Sequence, residues 1–164
     1  MIAKLENDTV NVYDANNNLI GKIKTQSNFK NAEITIDGKK IELSRNKWKT
    51  KIIESGNVIC NLETNSFSGN TTILETGQKI KGVTGFKWGT KMVDKENNTL
   101  LKIRNKNQFV NRNIYEIEIS NEKTTELDIL LTLYIHLFGS NMKLKALFIA
   151  ILAIGIVSSG ILIQ

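Results

Sequence analysis

Residues 126–138 read ELDILLTLYIHLF, with apolar side chains on nearly every side of a helix. Thr125 stands three positions before Asp128, the spacing of a capping box at a helix N-terminus, and Gly139 follows as a C-terminal stop would. We therefore predict a helix over 126–138. At about 1.5 Å per residue it reaches roughly 20 Å, short of the roughly 30 Å hydrocarbon core of a bilayer. A helix that is apolar all round and too short to span a membrane is expected to be buried in protein.

Before this helix the sequence alternates apolar and polar residues, and turn residues interrupt it roughly every eight to twelve positions. This pattern is typical of an antiparallel all-β domain. The clearest hairpin is AEITIDGKKIEL (32–43), in which a two-residue turn at Asp37-Gly38 would place Ile34 opposite Ile41. The other predicted strands are Ile2–Leu5, Val10–Tyr13, Leu19–Lys24, Lys47–Glu54, Asn57–Leu62, Thr71–Glu75, Lys79–Val83, Lys87–Val93, Leu100–Arg104 and Asn113–Ile119.

About a dozen short strands are expected to close or to fold into a sandwich, because a large open sheet leaves exposed edges. A closed barrel of this size is wide enough to receive one helix. We therefore predict a mainly β fold, a closed antiparallel barrel of about twelve strands around the helix 126–138.

A hairpin-like segment occurs twice. YDANNNLIGKIK (13–24) is followed eighty positions later by VDKENNTLLKIR (93–104), with no gap between the two alignments. One interpretation is a duplication, with two similar halves of the barrel facing each other. The alternative is that an Asp followed by paired Asn is favourable turn chemistry used twice.

The chain has 164 residues and a formal net charge of +6, which suits one domain with an appendage. A basic balance is compatible with nucleic acid, an anionic membrane surface or an acidic protein as partner. Cys60 is the single cysteine, so no intrachain disulfide framework is expected. The N-terminal sequence lacks the basic and apolar regions of a signal peptide.

The last nineteen residues, ALFIAILAIGIVSSGILIQ (146–164), contain no charge and have the length to span a membrane. We predict a membrane anchor over 142–164, with the barrel over 1–141. Lys143 and Lys145 would keep the barrel on the cytoplasmic side by the positive-inside rule. Gly155 and Ser159, four positions apart, would allow two such helices to pair closely in a homodimer. The alternative is a second buried helix packed on the barrel.

The order of the two hairpins, a YEIEI strand (115–119) and an apolar helix beginning LDILL resembles the tubby C-terminal-like superfamily. That superfamily includes tubby domains, plant LURP-one-related proteins and phospholipid scramblases. The resemblance covers residues 1 to about 141 and implies a closed twelve-stranded barrel around an apolar helix near the C-terminus. The Pro-rich extension, the Cys-rich cluster and the acidic calcium-binding loop of scramblases are missing here. No segment matches the phosphoinositide-contacting bases of tubby domains residue by residue.

Scramblases end in a Lys-flanked apolar stretch, and KLKALFIAILAIG (143–155) is similar to it. The final segment is therefore a competing candidate for the helix inside the barrel. We prefer 126–138 because it follows the YEIEI strand directly and is shorter.

The sequence offers no catalytic constellation. His136 is the only histidine, so a His-based metal cluster is not expected. A cofactor is not expected either. Asp128, Thr132 and His136 recur every four residues as a polar stripe on the helix. Asp128 and His136 would lie about 12 Å apart along its axis, so we interpret the stripe as hydrogen bonds to the barrel wall. Cys60 is interpreted as a small core residue. Phosphate-binding glycine loops and nucleophile elbows are absent, so an enzyme is not expected.

Residues 47–51, KWKTK, carry the most concentrated charge. Strand alternation would put Lys47, Lys49 and Lys51 on one face and Trp48 on the other. Such a face could meet lipid phosphates, or it could be a solvated strand face above a core tryptophan. A tryptophan on the opposite face cannot stack a base while the lysines hold its phosphate, so nucleic acid is not expected.

Together these features predict a non-enzymatic lipid-surface binding or scaffold domain, tethered to the membrane by a single C-terminal helix, with an anionic phospholipid surface as partner. Lys47, Lys49, Lys51, Lys143 and Lys145 are the candidate lipid-surface residues. One alternative is scramblase-like movement of lipids or binding of a lipid chain. Another is a soluble β-barrel ligand-binding domain or enzyme whose C-terminal segment belongs to the core.

Overall fold

The computed structural model describes residues 1–83, 89–107 and 113–142, which form twelve strands and a helix. The strands are β1 (Ile2–Glu6), β2 (Thr9–Tyr13), β3 (Leu19–Thr25), β4 (Asn31–Ile36), β5 (Lys39–Asn46), β6 (Lys49–Glu54), β7 (Asn57–Thr64), β8 (Thr71–Ile73), β9 (Lys79–Val83), β10 (Gly89–Val93), β11 (Thr99–Asn105) and β12 (Ile114–Ile119). The helix, α1, covers residues 126–142.

The twelve strands form one closed antiparallel barrel in which every strand pairs with its neighbours in the sequence. Closure comes from β1 and β12, where Ile2 lies opposite Glu116 and Lys4 opposite Ile114. The N-terminal amine of Met1 also donates a hydrogen bond of 3.2 Å to the carbonyl of Ile117. The prediction of a mainly β fold with a closed antiparallel barrel of about twelve strands is confirmed. Closure removes the open edges of the sheet.

The register of the β4–β5 hairpin is the one that its sequence predicts. Ile34 pairs with Ile41 across the two strands. Asp37 and Gly38 have φ angles of 48° and 78°, as a type I′ turn requires at both central positions. This register sends Ile34, Ile41 and Leu43 into the barrel, where all three are buried.

Helix α1 lies inside the barrel. Its side chains from Ile129 to Leu137 are buried on every side of the helix and belong to the same core cluster as the inward residues of the strands. Tyr134 hydrogen-bonds to the side chain of Arg45 on β5, whereas His136 contacts Thr90 on β10. These two strands lie on different sides of the barrel, so the helix is central. The predicted buried helix at 126–138 is therefore confirmed, while the final segment, the competing candidate, lies outside the described residues.

The two predicted ends of α1 have different outcomes. The capping box is confirmed at the start. The amide of Asp128 donates to Oγ1 of Thr125 at 3.1 Å, and the amide of Thr125 donates to Oδ2 of Asp128 at 3.0 Å. The predicted stop at Gly139 is wrong, because the helix continues through residue 142. Gly139 does not take the positive φ that a glycine C-cap uses, so nothing ends the helix there.

The two similar hairpins have the same turn. In both, the aspartate side chain accepts hydrogen bonds from the asparagine four residues later: the Asn18 amide donates to Asp14 Oδ1 at 2.7 Å and the Asn98 amide to Asp94 Oδ1 at 2.8 Å. These asparagines, the side-chain amide first, lower the pKa of Asp14 and of Asp94. The registers also coincide after a shift of eighty residues: β2 and β3 slip by one residue after Val12, as β10 and β11 do after Met92.

The hairpins do not face each other, so the two-halves arrangement is wrong. Only β12 and β1 separate β11 from β2 around the barrel. A third register shift occurs between β6 and β7. The shifts therefore fall at every fourth strand, in the pairs β2–β3, β6–β7 and β10–β11, which divide the barrel into thirds. Irregularities of this kind bend and twist a sheet locally, which assists closure.

The predicted membrane anchor lies outside the described residues, except for Met142. So do Lys143, Lys145, Gly155 and Ser159. Within residues 1–83, 89–107 and 113–142, no helix combines the length and the apolar character that crossing a membrane demands.

The close approach of α1 to the wall gives a direct test of the central helix. A Cβ atom added at Gly21 on β3 would lie 2.7 Å from Cδ1 of Leu130 and 3.0 Å from the carbonyl oxygen of Thr35. We expect Gly21→Ala to lower the free energy of unfolding by about 1–3 kcal/mol, the usual cost of overpacking. The measurement is chemical denaturation.

Gly82→Ala on β9 is the matched control, because a Cβ there meets no atom within 4 Å. Its stability should stay within about 0.5 kcal/mol of the native chain. Equal effects of the two substitutions would contradict the packing of Leu130 against β3.

Candidate functional site at the helix exit

The two ends of the barrel differ because α1 enters at one and leaves at the other. Consecutive strands of an antiparallel barrel connect alternately at its two ends. We call the end that holds the β1–β2, β3–β4, β5–β6 and β7–β8 connections the exit end, and the other the entry end. The C-terminal part of α1 lies at the exit end, where the side-chain amide of Asn141 donates to the carbonyl of Ser27 in the β3–β4 connection.

The exit end exposes large apolar side chains beside basic ones. Trp48 is 37% exposed, Phe67 is fully exposed and Met142 is 43% exposed. Lys30 and Lys47 are exposed in the connections β3–β4 and β5–β6. We call these five residues the exit rim. Exposed apolar side chains that gather at one place indicate a contact surface more often than a solvated one.

The entry end is acidic. Five turns connect consecutive strands at this end, and none of them contains an aromatic residue. They are residues 14–18, 37–38, 55–56, 74–78 and 94–98. Their charged residues are Asp14, Asp37, Glu75, Asp94, Lys95 and Glu96. The turns of the two ends therefore differ: those of the entry end are mainly acidic, whereas the exit end carries the exit rim beside one exposed acid, Asp8.

Trp48 does not lie where strand alternation predicts. Lys47 has a φ of 54° and Asn46 pairs with Lys49, so Lys47 and Trp48 form the two-residue turn between β5 and β6. The strand begins at Lys49, and the interpretation of Trp48 as a core residue on the opposite face is wrong. Because Trp48 and Lys47 share the exit rim, the opposite-face argument against nucleic acid no longer applies.

The other two lysines of KWKTK lie on the outer wall. Lys49 and Lys51 are exposed on β6, with the buried Thr50 between them facing inward. Nζ of Lys49 is 3.8 Å from a carboxylate oxygen of Glu63 on β7. Other wall bases also pair with acids, namely Lys40 with Glu33, Lys102 with Glu118 and Arg104 with Glu116. These pairs are exposed, so each contributes little to stability. They neutralise part of the wall, so the exit rim is distinguished by its exposed aromatic side chains and not by its charge alone.

The predicted hydrogen bonds from the polar stripe of α1 to the barrel wall are confirmed for His136, whereas those shown for Asp128 and Thr132 lie within the helix and its cap. Thr132 donates to the carbonyl of Asp128 at 2.7 Å. His136 is buried, with Nδ1 at 2.9 Å from the Thr90 hydroxyl and Nε2 at 3.2 Å from Oδ1 of Asn105. If Nε2 donates its proton to the Asn105 oxygen, Nδ1 accepts from Thr90. These contacts hold the helix in register with β10 and β11.

A cavity of about 360 Å³ opens at the exit end, between α1 and strands β7 to β10. Ile80, Ile135 and Phe138 supply its apolar lining, and Trp48 and Phe67 lie at its opening. The helix therefore fills most of the barrel but leaves space at the exit.

Arg45 is a residue at this end that the sequence reasoning missed. It is 8% exposed and points into the barrel from β5. Its Nε donates to the hydroxyl of Tyr134 at 3.1 Å, and that hydroxyl donates to the carbonyl of Phe29 at 3.0 Å. The guanidinium carbon lies 3.6 Å from the centre of the Phe138 ring. Alternation offered the signal, because Arg45 continues the inward positions of Ile41 and Leu43.

Within the described part of the chain, no three His, Cys, Asp or Glu side chains come together as a metal site would require. Comparison with protein-family models, with curated proteins and with solved structures finds no match.

Cys60 is buried on β7, as predicted. Burial first, and then the neighbouring Glu75 carboxylate, raise the pKa of its thiol from 9.0 to about 12. Since the thiolate is the reactive form, we expect Cys60 to resist thiol reagents near pH 8 in the folded protein and to react on unfolding. Equal labelling rates with and without denaturant would contradict this.

The same shift links Cys60 to stability at high pH. The unfolded thiol loses its proton near its ordinary pKa of 9.0, whereas the folded thiol keeps it until about 12. The contribution of Cys60 is therefore complete below about pH 9 and falls as the pH rises toward 12. In Cys60→Ala the alkaline loss of unfolding free energy should be shallower.

Proposed function

We propose that this protein is a membrane-tethered β-barrel whose exit rim rests on an anionic lipid surface, where it acts as a non-enzymatic binding or scaffold domain. One observation carries the proposal. Helix α1 leaves the barrel at the rim that exposes Trp48, Phe67 and Met142, and a run of nineteen residues without charge, 146–164, follows in the sequence.

The composition of the exit rim suits the boundary between lipid and water. Tryptophan and other aromatic residues favour the headgroup level of a bilayer. Each lysine close to an anionic leaflet contributes about 1 kcal/mol of attraction. Lys30 and Lys47 would supply that attraction beside Trp48 and Phe67, while the acidic turns of the entry end would point to solvent. A tether makes such weak contacts effective because it keeps the local lipid concentration high.

We further propose membership of the tubby C-terminal-like superfamily. The closed barrel of twelve strands around a helix near residue 130 supports this, since the resemblance of the sequence implies that architecture. In this proposal residues 142–164 form a single membrane span, Lys143 and Lys145 keep the barrel cytoplasmic, and Gly155 and Ser159 allow two spans to pair.

The tether is tested by membrane fractionation of the full chain beside a chain stopped after Met142. We expect the full chain to stay in the pellet through an alkaline carbonate wash, which strips peripheral proteins. The shortened chain should move to the supernatant with its β-sheet circular dichroism intact. Release of the full chain by carbonate, or unfolding of the shortened chain, would argue instead that the final segment belongs to the core.

The orientation of the barrel is tested by tryptophan quenching. In a Trp88→Phe variant of the full chain Trp48 is the remaining tryptophan. In vesicles containing phosphatidylglycerol with brominated acyl chains, we expect the fluorescence of Trp48 to be quenched, because the exit rim lies at the lipid.

The matched control carries Trp48→Phe and Trp88→Phe together with Asn16→Trp, which places the single tryptophan in the β2–β3 turn of the entry end. Its fluorescence should be unaffected by brominated lipid. Similar quenching of both tryptophans would contradict an exit-end contact.

A further inference from the structure

Within the described residues, three buried side-chain polar atoms have no hydrogen-bond partner: Nη1 and Nη2 of Arg45 and Oγ1 of Thr50. All three belong to one pair of residues, since Arg45 on β5 lies directly opposite Thr50 on β6. Both side chains point into the barrel, immediately beneath the turn at Lys47 and Trp48. The unsatisfied atoms therefore share one place inside the exit end.

An unpaired guanidinium is costly to bury, because the charge loses its hydration and gains no counter-charge. None of the ion pairs among the described residues includes Arg45. Buried polar groups in folded proteins are nearly always satisfied, so an unsatisfied set of this kind indicates a missing partner.

The geometry of the donors indicates what that partner is. The two Nη groups form a planar fork that matches two oxygen atoms of one oxyanion. The hydroxyl of Thr50, on the neighbouring strand, can donate to a third oxygen. A phosphate group offers a separate oxygen to each of the three donors, whereas a carboxylate would have to share one of its two oxygens between two of them.

Phe138 covers one face of the Arg45 guanidinium in the present conformation. Its ring centre lies 3.6 Å from the guanidinium carbon, so the negative face of the ring partly compensates the charge. The same ring lines the cavity of about 360 Å³ at the exit end. A rotation of the Phe138 side chain toward that cavity would expose this face of the guanidinium.

We propose that Arg45 and Thr50 form a binding site for a phosphate group, which Phe138 closes in this conformation. The phosphate group can come from inorganic phosphate or from a phospholipid headgroup. The site stands on the contacts of Arg45, Thr50 and Phe138 and does not depend on the proposed function.

The test uses the full chain in a maltoside detergent, which carries no phosphate. The melting temperature is measured as sodium phosphate replaces sodium chloride at constant ionic strength, and in a second arm as phosphatidylglycerol is added to the micelles. A ligand that binds only the folded state raises the melting temperature. Stabilisation by both probes assigns the site to any accessible phosphate group, and stabilisation by the lipid alone assigns it to the headgroup.

Four variants identify the site. Arg45→Met should abolish the response to both probes, and Arg45→Lys should weaken it because the fork is lost. Thr50→Val, which replaces the hydroxyl by a methyl group, should weaken the phosphate affinity roughly tenfold, the value of about one hydrogen bond. Phe138→Ala should strengthen the affinity, because the ring no longer covers the guanidinium.

Arg104→Met is the matched control. It removes one arginine from the outer wall, where the guanidinium pairs with Glu116 at 2.7 Å, and the phosphate response should remain. The proposal is overturned if neither probe stabilises the native chain, or if Arg45→Met responds as the native chain does. If Arg45→Met fails to fold, Thr50→Val decides, since an unchanged response in that variant also overturns the proposal.

Discussion

A closed barrel of twelve strands encloses more space than the side chains of its own wall can fill, and empty volume in a protein interior is costly. Helix α1 fills most of this space, and most other features of the fold follow from its presence. The helix must be apolar on every side because the wall surrounds it. The wall must also make room, as it does at Gly21, where Leu130 occupies the space of a side chain. Buried polar groups on α1 find partners either in the wall, as His136 does at Thr90 and Asn105, or in the helix itself, as Thr132 does at the carbonyl of Asp128.

The helix also gives the barrel a direction. Its N-terminus, which carries the positive end of the helix dipole, lies at the entry end among acidic turns, with Thr125 as its cap and the Asp128 carboxylate in its first turn. Basic residues gather toward the exit end, both on the rim and inside it at Arg45. The charge distribution of the loops therefore agrees with the helix dipole. Two features mark the exit end as a binding surface: exposed aromatic residues on its outside and an unsatisfied guanidinium inside it. They involve different side chains and are therefore independent.

Sequence patterns predicted much of this fold, because alternation and turn chemistry act locally. All twelve strands lie where period-two patterns indicate, and Asp37-Gly38 and the Thr125–Asp128 cap form as expected. The failures have specific causes. A positive φ at Lys47 turns the chain before Trp48, and alternation cannot detect a backbone angle. Gly139 is the residue type that often ends a helix, but residue type alone does not show whether the glycine adopts the positive φ of a C-cap, and here it does not. Arg45 was missed because its meaning depends on Tyr134 and Phe138, which lie about ninety residues away and meet it only in the folded barrel.

The position of α1 along the chain has a consequence for how the protein is made. During synthesis all twelve strands leave the ribosome before the helix that fills them. The last seam, between β1 and β12, joins residues more than a hundred positions apart, such as Met1 and Ile117. Until residues 126–142 emerge, the strands have no complete core to close upon, and contacts of such long range form slowly. We therefore expect the nascent barrel to stay open, with apolar strand faces exposed, until residues 126–142 have emerged.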